Sequence, residues 1–235
     1  MTKVISVFSP KGGVGKSTVS VLLANLFFFE SNFKVAIIDA DYPQRSILRH
    51  RKNELRIIAK DEHLTKIFDE LYSDRLPYPI IPADINTCEE TIRQLRSTED
   101  FDFIFVDAHK KFALKGMNSF LSEVNYFLIP AFLDDFSLGV AVEFNLLLEK
   151  GIRPNSEHFI DCDLFFNKVP GQNKLDQTMF DLEDKINIIS QYIAKHISYE
   201  RSYRSTLLPI PTKTKEGYRL TLFVEHFLAA INESE

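Results

Sequence analysis

Short, unbroken apolar runs alternate along the chain with stretches whose apolar residues recur every three or four positions. Residues 4–8, 35–38, 78–81, 103–106, 127–129 and a run within 159–166 read as strands. Residues 17–30, 62–72, 87–96, 137–149, 185–196 and 219–231 read as helices. In 62–72, Leu64, Ile67, Phe68 and Leu71 fall on one helical face. Thr87 followed by Glu90 predicts an N-cap with a capping box for the helix at 87–96. Strands that are apolar throughout, rather than alternating, are buried on both faces. Interleaved with helices, they predict an α/β fold in which a mostly parallel sheet carries helices on both sides. No repeat, low-complexity segment or linker interrupts 1–235, so a single domain is expected.

Composition narrows this picture. With 235 residues, 45 % hydrophobic and 26 % charged, the chain can bury a large core, which excludes disordered and disulfide-scaffold classes. A net charge of -5 argues against wholesale polyanion binding but leaves room for a local basic patch. Cys88 and Cys162 lie far apart with no CxxC spacing, and read as core thiols in a reducing compartment. The run at 19–29 contains Ser20 and Asn25 and falls short of the ~20 apolar residues a membrane span needs. The acidic end at 232–235 is not a basic amphipathic anchor. A cytoplasmic protein without a membrane partner is expected.

The informative polar residues follow the strands, where ligands bind in open parallel sheets. After the first strand comes Pro10-Lys11-Gly12-Gly13-Val14-Gly15-Lys16-Ser17-Thr18. Glycines let successive backbone N–H groups turn inward around phosphate oxygens, and the following helix adds its positive end. Lys16 supplies charge at the β/γ-phosphates and the Ser17 hydroxyl is suited to Mg²⁺. The pattern reads as a phosphate-binding loop (P-loop) for a nucleotide with Mg²⁺. The run at 101–107 is an apolar strand ending in Asp107, a Walker-B pattern able to hold Mg²⁺ with Ser17. The second strand ends in Asp39-Ala40-Asp41-Tyr42-Pro43-Gln44. These two acids are expected to diverge, so that only one aims at the phosphates.

The loop has Pro10 where the general pattern has its first glycine, and Lys11 directly before Gly12-Gly13. The sequence KGGVGKST resembles that of the ParA/MinD family of ATPases. The resemblance implies that Lys11 crosses a dimer interface to the partner's ATP, as an arginine finger would in trans. It assigns Asp41 to positioning the attacking water, with Asp39 in support. Tyr42, inserted between Asp41 and Pro43, departs from the family's D-x-D-P-Q, and DYPQ is similar to ParA-like ATPases of conjugative elements. The segment Ala108-His109-Lys110-Lys111 departs from the proline or glycine usual there, and His109 reads as a solvated loop residue. Asn167, in Phe166-Asn167-Lys168, matches the asparagine that contacts adenine in the family, and its amide chemistry suits that role.

Two segments are locally basic. Residues 45–56 carry Arg45, Arg49, Arg51, Lys52 and Arg56 against Glu54. Residues 195–219 carry Lys195, Arg201, Arg204, Lys213, Lys215 and Arg219 against Glu200 and Glu216, interleaved with tyrosines. The resemblance implies an ATP-sandwich homodimer that binds double-stranded DNA nonspecifically in DNA partition. Arg201, Arg204, Lys213, Lys215 and Arg219 are the candidate contacts, and a ParB-like centromere-binding protein is the expected activator. Operator-specific repression is not expected, because no DNA-reading domain precedes the first strand. Other readings are a MinD-like positioning ATPase acting on a membrane or protein partner, and a small-molecule ligase of the same fold such as a dethiobiotin synthetase.

Overall fold

The computed structural model describes residues 2–98, 100–109, 116–170, 175–182 and 184–233. Lys110 and Lys111, and the acidic end at 234–235, lie outside them. In chain order the elements are β1 (Lys3–Val7), α1 (Lys16–Phe29), β2 (Val35–Ala40), α2 (Ser46–Ile58), α3 (Glu62–Leu71), β3 (Ile80–Pro82), α4 (Ile85–Thr98) and β4 (Phe103–Ala108). Then follow α5 (Met117–Glu123), β5 (Tyr126–Ala131), α6 (Asp135–Leu147), β6 (Asp161–Val169), α7 (Leu175–Leu182), β7 (Ile193–Ala194), α8 (Ile197–Glu200) and α9 (Lys215–Glu233).

The strands form one sheet in the order β3-β2-β4-β1-β5-β6-β7. Every pair is parallel. Strand residues alternate between two cores, one on each face. Ala36, Ile38, Ile104, Val106, Phe127 and Ile129 pack with α4, α5 and α6. Ile5, Val7, Ile37, Phe105 and Leu128 pack with α1 and α9. Burial on both faces is why the strands lack polar alternation. Helix α1 is buried continuously from Val19 to Phe27, which explains its all-round apolar sequence. Cys88 and Cys162 are free and buried, as expected of core thiols.

Three sequence expectations change. Residues 185–196 do not form a helix; they run through a turn into β7, where Ile189 and Ile193 enter the core beside α9. Their apolar spacing serves an edge strand and its approach. Thr87 is not an N-cap: α4 starts at Ile85, and the Asp84 carboxylate accepts the Asn86 N–H at 2.8 Å. Thr87 instead reaches back to the Asp84 N–H at 3.3 Å, so the reciprocal cap sits three residues upstream. Finally, 45–56 is not just a basic stretch but most of α2.

Candidate functional site

The chain reverses its direction of spread at β1, which lies between β4 and β5, and the loop after β1 opens at that switch point. Gly13 and Gly15 adopt φ of 80° and 95°, the left-handed region that L side chains avoid. At Gly15 the constraint is doubled, because a Cβ would stand 2.4 Å from the Asn167 Nδ2. Helix α1 begins directly after it with no side chain capping its first N–H groups. Those uncapped donors and the positive end of the helix face the cleft. Lys16 curls back over the loop, its Nζ donating to the carbonyls of Ser9 at 3.2 Å and Lys11 at 3.4 Å. Gly12, Gly13, Gly15, Lys16, Ser17 and Thr18 line a cleft of about 530 Å³. Val14 is buried beneath it.

The acids arrive from neighbouring strands. Asp39 and Asp107 stand side by side in the β2–β4 ladder. Asp107 is 1 % exposed, and its Oδ2 has no hydrogen-bond partner. Burial pushes its carboxyl up to about 7, helped by the charges of Asp39 and Asp41 and opposed by the Ser17 hydroxyl and Lys16. A buried carboxylate oxygen without a partner, beside a hydroxyl and within a set of hard oxygen donors, fits Mg²⁺, which keeps most of its waters and needs few protein ligands. Mg²⁺ requires the ionised carboxylate, so Mg-ADP affinity is expected to fall by up to about tenfold per pH unit below about 7. Asp107→Asn should flatten the profile, and a flat wild-type profile between pH 6 and 8 would remove Asp107 from the metal site. Stability of the metal-free protein runs the other way. The folded state holds this proton above the ordinary 3.8, so the contribution is full below about pH 4 and is lost as pH rises through about 7.

Asp39 and Asp41 part, though not as alternate residues of one strand: β2 ends at Ala40, only Asp41 of the two lines the cleft, and both charges act on Asp107. What separates them is their partners. Asp39 is fully buried and its Oδ2 accepts the N–H groups of Ile47 at 3.1 Å and Leu48 at 2.8 Å, at the start of α2. It therefore ties the helix to the sheet. Asp41 lines the cleft, 3.9 Å from His109 Nε2. His109 is thus part of the cleft wall, not a solvated loop residue.

Lys11 lies outside the cleft lining. Its Nζ pairs with both carboxylate oxygens of Asp134, at 3.0 and 3.2 Å, and sits 5.0 Å from the Phe136 ring. Asn167 is buried, with its Nδ2 donating to the Val14 carbonyl at 2.7 Å and its Oδ1 accepting the Lys168 N–H at 2.9 Å. Its amide braces the phosphate loop. The DNA-contact candidates divide: Arg201, Lys213, Lys215 and Arg219 are exposed, whereas Arg204 lines the cleft. Sequence reasoning missed Gln44, Ser46, Lys168 and Glu200 as further lining residues.

A glycine loop feeding an uncapped helix, with a lysine above it and acids ending the two adjacent strands, defines the class: a P-loop nucleoside triphosphatase fold carrying the deviant Walker-A loop. A family model described as ParA: NUBPL iron-transfer P-loop NTPase matches residues 1–65. No curated protein sequence matches. The fold is similar along nearly its whole length to the MinD cell division protein of Aquifex aeolicus, with TM-score 0.65, 21 % identity and 97 % of each chain covered. It is similar to a plasmid partition protein from Borrelia burgdorferi, with TM-score 0.65, 19 % identity and coverage of 97 % and 99 %. It is also similar to septum site-determining MinD complexed with Mg-ADP from Pyrococcus horikoshii, with TM-score 0.67, 18 % identity and coverage of 100 % and 99 %.

Proposed function

We propose that this protein is a Mg²⁺-dependent ATPase whose ATP state forms a homodimer and engages a partner. The observation that carries the reading is the cleft itself. Lys16, Ser17, Asp41 and Asp107 converge on one cavity at the end of the parallel sheet. The P. horikoshii MinD with a similar fold is complexed with Mg-ADP, which supports the choice of ligand. Bound Mg²⁺ would neutralise phosphate charge. Ser17 and Asp107 would hold it, the loop N–H groups and Lys16 would hold the phosphates, and Asp41 would orient the attacking water.

Two partner classes fit such a switch, and the similar folds include both a plasmid partition protein and MinD cell division proteins. For DNA, the support is local. Arg201, Lys213, Lys215 and Arg219 present exposed cations on a chain of net charge -5, and phosphate contacts by such groups are independent of sequence. In this reading the protein acts in DNA partition with a ParB-like activator. In the alternative, it positions a protein or membrane partner, as MinD-like ATPases do. No helix among the described residues is long and apolar enough to cross a membrane. Binding to random-sequence duplex DNA should appear with Mg-ATP and be absent with Mg-ADP, most clearly in Asp41→Ala, which should hold the ATP state. It should fall steeply as salt rises. Binding to anionic liposomes instead, under the same nucleotide switch, would establish the positioning reading.

A further inference from the structure

We propose that Arg204 is a phosphate-binding residue of the nucleotide cleft, supplied in cis from the segment that follows α8. The inference rests on the nucleotide-binding reading above and adds a residue to it. Arg204 lies in the segment after α8 and lines the cleft together with Lys16, Ser46 and Asp107. Its Nε is buried and makes no hydrogen bond. A buried guanidinium nitrogen without an acceptor is costly unless a ligand supplies one. The acid on the same wall is engaged elsewhere, since Glu200 pairs with Lys168 at 2.6 Å. Two other cleft atoms, Ser46 Oγ and Asp107 Oδ2, are also buried and unpartnered. Donors and a metal-ligating oxygen left open around one cavity match a polyanion with its cation.

The backbone under Arg204 is fixed to a degree unusual for a surface loop. His50 Nε2, from α2, donates to the Arg204 carbonyl. Glu54 accepts the Ser205 hydroxyl at 2.6 Å and the Thr206 N–H at 2.9 Å. Arg51 donates to the Thr206 hydroxyl at 2.6 Å and to its carbonyl at 2.8 Å. From the other side, Asn25 of α1 donates to the carbonyls of Ser205 and Leu208 at 2.9 and 2.8 Å. The segment is therefore clamped between the helix that starts at the phosphate loop and the helix that starts beside Asp39. An arginine on such a mount is pre-organised, so little side-chain and backbone freedom is lost when it meets an anion.

The test measures binding of Mg-ADP and, by competition, of Mg-pyrophosphate to wild type, Arg204→Gln and Arg204→Lys. Thermal unfolding without ligand checks the fold of each. Arg204→Gln should weaken both ligands by about 10- to 100-fold, with Arg204→Lys recovering part of the loss. Arg204→Gln affinities within twofold of wild type would overturn the proposal. A loss confined to Mg-ADP, with pyrophosphate unchanged, would overturn the phosphate assignment. Failure of the wild type to bind either ligand would refute the nucleotide reading itself, before any Arg204 variant is considered.

Discussion

Lys16→Ala is expected to lower ATP and ADP affinity by at least about 100-fold, the largest single effect on binding in the molecule. Without nucleotide, the Lys16 ammonium bonds to the carbonyls of Ser9 and Lys11 at 3.2 and 3.4 Å. These neutral acceptors lie on its own loop, and an anionic phosphate oxygen is the stronger partner because it adds the attraction between two full charges. Hydrogen bonds to charged groups contribute about 1.5–3 kcal/mol each, and two such bonds account for the expected loss. Alanine also removes a cation that opposes the upward shift of Asp107. The variant should therefore hold the Asp107 proton more firmly and bind Mg²⁺ less well at neutral pH. Thermal unfolding separates binding from folding. The nucleotide-free transition should stay close to wild type, because the bonds that the Lys16 ammonium makes to its own loop, at 3.2 and 3.4 Å, are long ones to neutral carbonyls. The upward shift that Mg-ADP gives the wild type by mass action should disappear. A Lys16→Ala protein that kept the full shift would show that the cleft does not hold phosphates in the expected way.

The parts of this site that were legible in the sequence are those made by contiguous residues. The glycine loop, Lys16 and Ser17 are read from one strand-loop-helix run because the chemistry is local: backbone N–H groups, a helix end and two side chains in register. Asp39, Asp41 and Asp107 were legible because each ends a buried strand, and a parallel sheet brings strand ends together. The far wall was not legible. Arg51 reads as part of a basic stretch, yet it bonds to Thr206, 155 residues away. Arg204 reads as one of several surface cations, yet lines the cleft. Asn25 interrupts an apolar helix for no local reason; its purpose is the segment at 205–210, whose Ile210 N–H it accepts at 3.1 Å. Helix α2 itself was hidden because both its first turn and its inner face are satisfied by tertiary partners: Asp39 at the N-terminus and the Ser205–Thr206 backbone along its side. The mistaken helix at 185–196 has the same origin. Its apolar residues are spaced as on a helix, but β6 offers an unpaired edge, and Asn167 and Val169 pair with Ile193 and Ala194 there.

Lys11→Ala is expected to bind Mg-ATP within about twofold of wild type while losing turnover by about a thousandfold or more, the range over which a trans-acting cation stabilises phosphoryl transfer. The argument starts from where Lys11 is. It does not line its own cleft but lies against Asp134, which also caps α6 by accepting the Ser137 N–H at 2.8 Å. The hold is light. Asp134 is 46 % exposed, an ion pair of that kind contributes about 0.2–1 kcal/mol, and the Phe136 ring adds about as much again. A second protomer presenting ATP could draw the lysine away at small cost. If Lys11 served its own nucleotide, its removal would weaken binding, and no partner could restore turnover. If it serves the partner's nucleotide, mixing Lys11→Ala with Asp41→Ala should recover activity that neither has alone. In the mixed dimer, the Lys11→Ala protomer keeps its own Asp41 and receives an intact Lys11 from the other chain. Steady-state ATP hydrolysis across a mixing series reads this directly. Unimpaired turnover by Lys11→Ala alone, or no recovery at any mixing ratio, would sink the trans role.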